Sequence, residues 1–131
     1  MRITIEKEVG ALPSVSEMEI VDILVTSKIP NQRVVFLKPS RAKGSKTPDL
    51  LIDDLYWEIK SVERLGKYTL DHALRAGLRQ SENLIIDLRK LNKAFETKAL
   101  TKVEKEFNIT RGWRGLIVVV RSGGDCLTFK K

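Results

Sequence analysis

The stretch Pro48-Asp49-Leu50-Leu51-Ile52-Asp53-Asp54-Leu55-Tyr56-Trp57-Glu58-Ile59-Lys60 decides how this chain reads. Asp53-Asp54 suits a two-residue turn, because aspartate tolerates positive φ better than most side chains do. That turn sets a register in which Ile52 faces Leu55, Leu51 faces Tyr56, Leu50 faces Trp57 and Asp49 faces Glu58. Side chains alternate faces along a strand. Leu50, Ile52, Leu55, Trp57 and Ile59 therefore share an apolar face that must cover a core, and Asp49, Leu51, Tyr56, Glu58 and Lys60 share the other. On that second face the two carboxylates are expected about 4.5–5.5 Å apart at Cβ, a repulsive placement unless a cation intervenes. Either Lys60 and nearby arginines neutralise the pair as a structural cluster, or the pair belongs to a site that binds a metal or polarises a phosphate.

Outward from this hairpin the chain reads as one α+β domain over 1–131, with an N-terminal strand, helix and basic loop in 1–45 and a core in 46–131 built around the hairpin. Arg2 to Lys7 alternate as a short strand, and Ser16 stands ahead of the spaced apolar residues of a helix. Arg33 to Leu37 are β-branched and aromatic, hence a strand. Lys38 to Lys46 read as a loop. Behind the hairpin come a helix over Thr69 to Ser81, a strand over Asn83 to Leu88 and a lysine-rich helix from about Leu91 to Phe107. A glycine-turned hairpin, Leu116 to Arg121 and Cys126 to Phe129, closes the chain. The order is strand, helix, three strands, helix, strand, helix, two strands, which calls for an N-terminal helix and a central antiparallel or mixed sheet with helices against it.

Charge narrows the partner. The formal net charge is +7, and the excess lies in the second half, since residues 1–65 carry ten basic and ten acidic side chains and 66–131 carry fourteen and seven. Between Asp22 and Asp49 run Lys28, Arg33, Lys38, Arg41, Lys43 and Lys46 with no carboxylate among them. Such a segment attracts phosphate chains by Coulomb attraction and counterion release, against the plainer alternative of solvated surface lysine. No run approaches the roughly 18 apolar residues of a membrane span, and the first residues lack the apolar core of a signal peptide. The lone Cys126 forms no internal disulfide. A cytoplasmic site of action and no membrane partner are expected.

The helix behind the hairpin sorts its residues into faces. Leu70, Leu74 and Leu78 form a stripe for core contact, and His72, Arg75 and Arg79 form a second row. Neighbouring guanidinium groups would favour a neutral His72, able to take a proton from a ribose 2′-hydroxyl; a solvated surface histidine is the alternative. Ala73, Ala76 and Gly77 suggest a close approach to the sheet, with Gln80 in reach of a buried carboxylate such as Glu58. Thr69 can cap this helix. Trp113, beside Arg111, either stacks on an unpaired base or joins the core. No Cys/His cluster suggests zinc.

Pro-Asp followed by Glu-x-Lys on the next strand resembles the PD-(D/E)xK nuclease pattern, in which two carboxylates hold Mg²⁺ and the lysine positions the water or the developing anion. Lys46-Thr47-Pro48-Asp49, Tyr56-Trp57-Glu58-Ile59-Lys60, the helix with Ala73 and Gln80, and Asn83 to Arg89 together resemble the tRNase domains at the C-termini of CdiA-type contact-dependent inhibition toxins, over about residues 46 to 121. Such domains are generally grouped with the barnase, EndoU, colicin and RelE-like ribonucleases, an N-terminal helical part followed by an antiparallel sheet. The resemblance implies tRNA cleavage in a target cell, delivery as part of a larger secreted toxin, neutralisation by a cognate immunity protein and, in some members, dependence on elongation factor Tu. The first expectation is a ribonuclease without a cofactor, with Asp49, Glu58, Lys60, His72 and Arg75 catalytic, and Thr69, Arg79, Gln80, Arg41, Lys43, Lys46 and Arg111 on the substrate. Two alternatives stand beside it: an Mg²⁺-dependent DNA endonuclease with Asp49 and Glu58 as ligands, and a non-catalytic RNA- or protein-binding module.

Overall fold

The computed structural model describes residues 4–26, 33–38, 48–64, 66, 69–110 and 115–130, with the side chains of 25, 26 and 78–80 outside that description. Arg41, Lys43, Lys46, Arg111 and Trp113, and the side chains of Arg79 and Gln80, fall outside the described residues. The elements follow the expected order: β1 (Thr4–Lys7), α1 (Val15–Thr26), β2 (Arg33–Phe36), β3 (Leu50–Ile52), β4 (Leu55–Ser61), α2 (Thr69–Gln80), β5 (Asn83–Asp87), α3 (Lys93–Ile109), β6 (Ile117–Val120) and β7 (Cys126–Phe129).

The strands form one seven-stranded sheet in sequence order. Pairings β1–β2, β4–β5 and β5–β6 are parallel and the rest antiparallel. The sheet is therefore mixed, not the antiparallel sheet that the barnase-like grouping implies. The reason is topological: a helix returns the chain to the same end of the sheet before each parallel partner, whereas a tight turn reverses it.

Each face of the sheet carries its own core. On one, Ile20, Val21 and Leu24 of α1 meet Val34, Phe36, Leu50, Ile52, Trp57, Ile85, Val118 and Val120. On the other, Leu70 and Leu74 of α2 and Ala99, Val103 and Phe107 of α3 meet Leu84, Ile86, Ile117 and Val119. Strands β5 and β6 are covered on both sides, which explains why Leu84-Ile85-Ile86 and Ile117-Val118-Val119-Val120 are unbroken apolar runs without alternation.

Local signals fix the joints, with two departures from expectation. The cap of α1 is Ser14 instead of Ser16: Ser14 Oγ accepts the Glu17 amide at 3.1 Å, and Glu17 Oε1 accepts the Ser14 amide at 3.1 Å. This is a capping box. Ser16 is committed elsewhere, its hydroxyl and carbonyl oxygens accepting from Arg89 at 3.0 and 3.1 Å. The lysine-rich helix begins at Lys93 because Asn92 caps it, its side-chain oxygen accepting the Ala94 amide at 3.0 Å. Thr69 opens α2, and its hydroxyl accepts the Gly66 amide at 2.9 Å, tying down the approach to the helix.

Candidate functional site

Hairpin β3–β4 forms in the register its turn dictates. Asp53 and Asp54 have φ of 46° and 71°, the pair of left-handed residues of a type I′ turn, and Leu50, Leu51 and Ile52 oppose Trp57, Tyr56 and Leu55. Leu50, Ile52 and Trp57 are buried under α1 as expected. Leu55 departs from that face by being half exposed, since it sits at the turn, where the sheet runs out.

β4 continues to Ser61 whereas β3 ends its ladder at Trp57, so among the described residues Glu58 to Ser61 have a strand partner on the β5 side alone. A notch opens there, and Asp49 occupies it. The expected straight opposition of Asp49 and Glu58 is not what forms. The Asp49 amide donates to the Trp57 carbonyl at 3.0 Å, its carbonyl accepts the Leu37 amide at 3.0 Å, and its Oδ2 accepts the Ile59 amide at 2.9 Å. Asp49 thus turns out of the ladder to satisfy the open edge of β4 with its side chain, while its carboxylate stays close enough to act on Glu58.

Glu58 points to the α2 face, opposite Leu84 in the ladder, and is 2% exposed. Lys60 lies two residues along on the same face, its Nζ 3.3 Å from Glu58 Oε2. The other oxygen, Oε1, is buried and receives no donor, and the neighbouring Asp49 carboxylate is the group able to accept a proton carried by Glu58. Burial, and then the neighbouring Asp49, push the Glu58 carboxyl up to about 8, with Lys60 opposing them. The ammonium therefore offsets only part of the charge that the two acids would carry.

Helix α2 comes down hard on this face. A Cβ on Gly77 would lie 2.6 Å from Leu84 Cδ2, so the small residues there allow the close approach expected of them. His72 and Arg75 are exposed on α2. The basic excess of the second half surfaces in part on α3, where Lys98, Lys102 and Lys105 line a shallow groove with Thr97 and Thr101.

Sequence reasoning missed Glu17. With Leu12, Pro13, Phe36 and Leu37 it lines the same cavity of about 100 Å³ as Asp49, placing a third acid near the notch from the other face. Its signal was the Ser14-x-x-Glu17 spacing, which accounts for it locally as a capping residue. Among the described residues no group of three or more His, Cys, Asp or Glu side chains converges as metal ligands. The donor set at the notch is two hard oxygen ligands, the carboxyls of Asp49 and Glu58, which fits a cation such as Mg²⁺ that takes one or two carboxylates and leaves its remaining positions to water and phosphate.

Fold and notch define a single α+β domain that presents two neighbouring acids and an amine where one strand outruns its neighbour. The chain belongs to the contact-dependent growth inhibition CdiA C-terminal domain family, whose signature matches residues 46–124, and it is a toxin module of that kind. No curated protein matches it significantly in sequence. Among solved structures it is similar to a chain of the CdiA-CT/CdiI toxin and immunity complex from Burkholderia pseudomallei, at a TM-score of 0.58 and 11% identity over 98% of this chain and 100% of that one. At that identity the likeness speaks for the fold.

Proposed function

We infer that this toxin module is a metal-assisted nuclease that cleaves tRNA, with Asp49 and Glu58 as the ligands of a divalent cation and Lys60 as the group that meets the phosphodiester. The observation that carries the reading is Glu58: a buried carboxyl wedged between a second acid and an amine and held in its protonated form, so that ionising both acids leaves one negative charge that Lys60 alone does not balance. A bound cation supplies compensation for phosphoryl charge and a more acidic water. Asp49 is held for this role by three hydrogen bonds through its backbone and Oδ2. Lys60, whose side chain is 27% exposed, can leave Glu58 Oε2 to donate to a phosphate oxygen. Arg75, exposed on α2, is suited to a neighbouring phosphate.

This reading takes up the metal-assisted alternative in place of the metal-free mechanism first expected, because the acid pair holds a carboxyl whose ionised form a cation would stabilise. RNA over DNA follows from the resemblance to tRNase domains, and a cognate immunity protein is the expected antagonist. Labelled tRNA and plasmid DNA, each with Mg²⁺ or EDTA and with or without elongation factor Tu, separate the possibilities. The expected result is tRNA cutting that requires the cation and falls by at least roughly 100-fold in Lys60→Ala. Cutting in EDTA would sink the metal assignment, cutting of DNA alone would sink the substrate, and binding without cutting by folded wild type would sink the enzyme.

A further inference from the structure

Two aromatic side chains stand exposed among the described residues, Phe95 on α3 and Tyr56 on β4. Tyr56 precedes Glu58 and Lys60 by two and four residues, so strand alternation puts all three on one face, with Tyr56 and Glu58 about 6.5 Å apart along the strand. It also ends an apolar row across three strands, Val35 opposite Leu51 and Leu51 opposite Tyr56. Val35 is buried and Leu51 half-buried, whereas Tyr56 is 53% exposed. The row is a shelf beside the notch, and its outermost member is a ring open to solvent.

The main chain beneath that ring is pinned. The Tyr56 carbonyl accepts from Ser81 Oγ at 2.6 Å and from Asn83 Nδ2 at 3.0 Å, and Asn83 Oδ1 accepts the Leu116 amide at 3.0 Å. Ser81, just before β5, and Asn83, the first residue of β5, thus hold the backbone of a residue whose side chain they leave uncovered. Fixing the backbone while exposing the ring lowers the entropy lost when a flat partner lies on it.

We propose that Tyr56 is a stacking platform for an unpaired nucleobase on the nucleotide flanking the scissile phosphodiester, which directs the enzyme to single-stranded loops. This rests on the nuclease reading above. The chemistry is general: a base in a loop has a free π-face and a base within a helix does not, and loss of such a contact weakens binding roughly ten- to hundred-fold. Tyr56 is a positioning residue. It supplies no proton and holds no metal.

The test uses the full chain with Mg²⁺ and RNA hairpins carrying the mapped cut site in the loop, intact or with the flanking base removed. Tyr56→Ala is expected to raise KM or lower kcat/KM roughly ten- to hundred-fold on intact RNA, with Tyr56→Trp and Tyr56→Phe close to wild type. Removing the base should slow the wild type by a similar factor and leave Tyr56→Ala unaffected. A 2-aminopurine at that position should be quenched on binding to Lys60→Ala and not to the Lys60→Ala/Tyr56→Ala double variant. Equal cleavage by wild type and Tyr56→Ala, an equal cost of base removal in both, or equal quenching overturns the proposal while leaving the nuclease intact. Should Tyr56→Ala fail to fold, Tyr56→Leu, which keeps the apolar shelf and removes the π-face, carries the same comparison. Absence of any cleavage by folded wild type removes the nuclease reading and this inference with it.

Discussion

Glu58 prefers a proton to a charge because its carboxyl is buried and Asp49 lies beside it, and that preference can be read out in pH. Its folded value of about 8 lies above the ordinary 4.5. The stability it contributes is therefore complete below about 4.5 and is lost as the pH rises through about 8. A divalent cation takes the ionised form and competes with the proton. Mg²⁺ should accordingly raise Tm more at pH 8 than at pH 6, and Glu58→Gln should abolish both the Mg²⁺ response and most of the pH dependence between those values. Thermal melts at the two pH values, with Mg²⁺ or EDTA, measure this directly; an unchanged Mg²⁺ response in Glu58→Gln would remove Glu58 from the metal site. The identity of Glu58 and Lys60 as candidates was legible in the sequence, because alternation along a strand is a local rule. That Glu58 would be sealed from solvent was not, since burial depends on where α2 comes down.

At the scale of elements, the two hairpins and their neighbours show what local chemistry can and cannot set. Asp53 earns its place in the turn through Oδ1, which accepts the Arg33 amide at 2.9 Å, but Asp54 makes the left-handed bend without the freedom of glycine. Asp54→Gly is expected to stabilise the fold by about 0.5–1 kcal/mol, seen as a higher urea midpoint with an unchanged slope. Gly115 presents the opposite case. A Cβ there would lie 2.2 Å from the Glu82 carbonyl oxygen and 2.6 Å from Asn83 Oδ1, and backbone cannot swing aside as a side chain can. Gly115→Ala should cost about 1–3 kcal/mol in denaturant melts, and because Asn83 also holds the Tyr56 carbonyl, it should disturb the shelf beside the notch. The turn at Asp53-Asp54 was readable from two adjacent residues. The need for glycine at 115 arises from a contact with the start of β5 and was not.

For the whole molecule, the sheet works as a wall with a core on each side, and α1 supplies the helical half of one of them. The family match begins at residue 46, beyond α1, yet Ile20 is completely buried. Arg89 fastens α1 to the end of β5: it bonds Ser16 and lies 2.9 Å from Asp87, whose carboxylate raises the Arg89 pKa. Ile20→Ala should therefore destabilise the entire domain by about 2–5 kcal/mol in a single cooperative transition. A loss below about 0.5 kcal/mol in the same melt would mean that α1 is an accessory and not part of the core. Glu96 does similar work from α3, its carboxylate accepting the Ser122 amide at 2.7 Å and the Ser122 hydroxyl at 3.0 Å to hold the last hairpin.

The sequence alone determined the order of ten elements, the turn and register of the central hairpin, its one apolar face and the acid–amine spacing, because each follows from periods of two or 3.6 residues or from the φ preference of adjacent residues. Only the tertiary structure decided which strands run parallel, that α1 and α2 close opposite faces, and that Asp49 leaves its ladder to cap the open edge of β4. It alone brought Glu17 to the same cavity as Asp49 and buried Glu58 beside that acid. These features depend on contacts between residues far apart in the chain, where a choice of face or strand partner is settled by what else must be buried, and no local pattern carries that information.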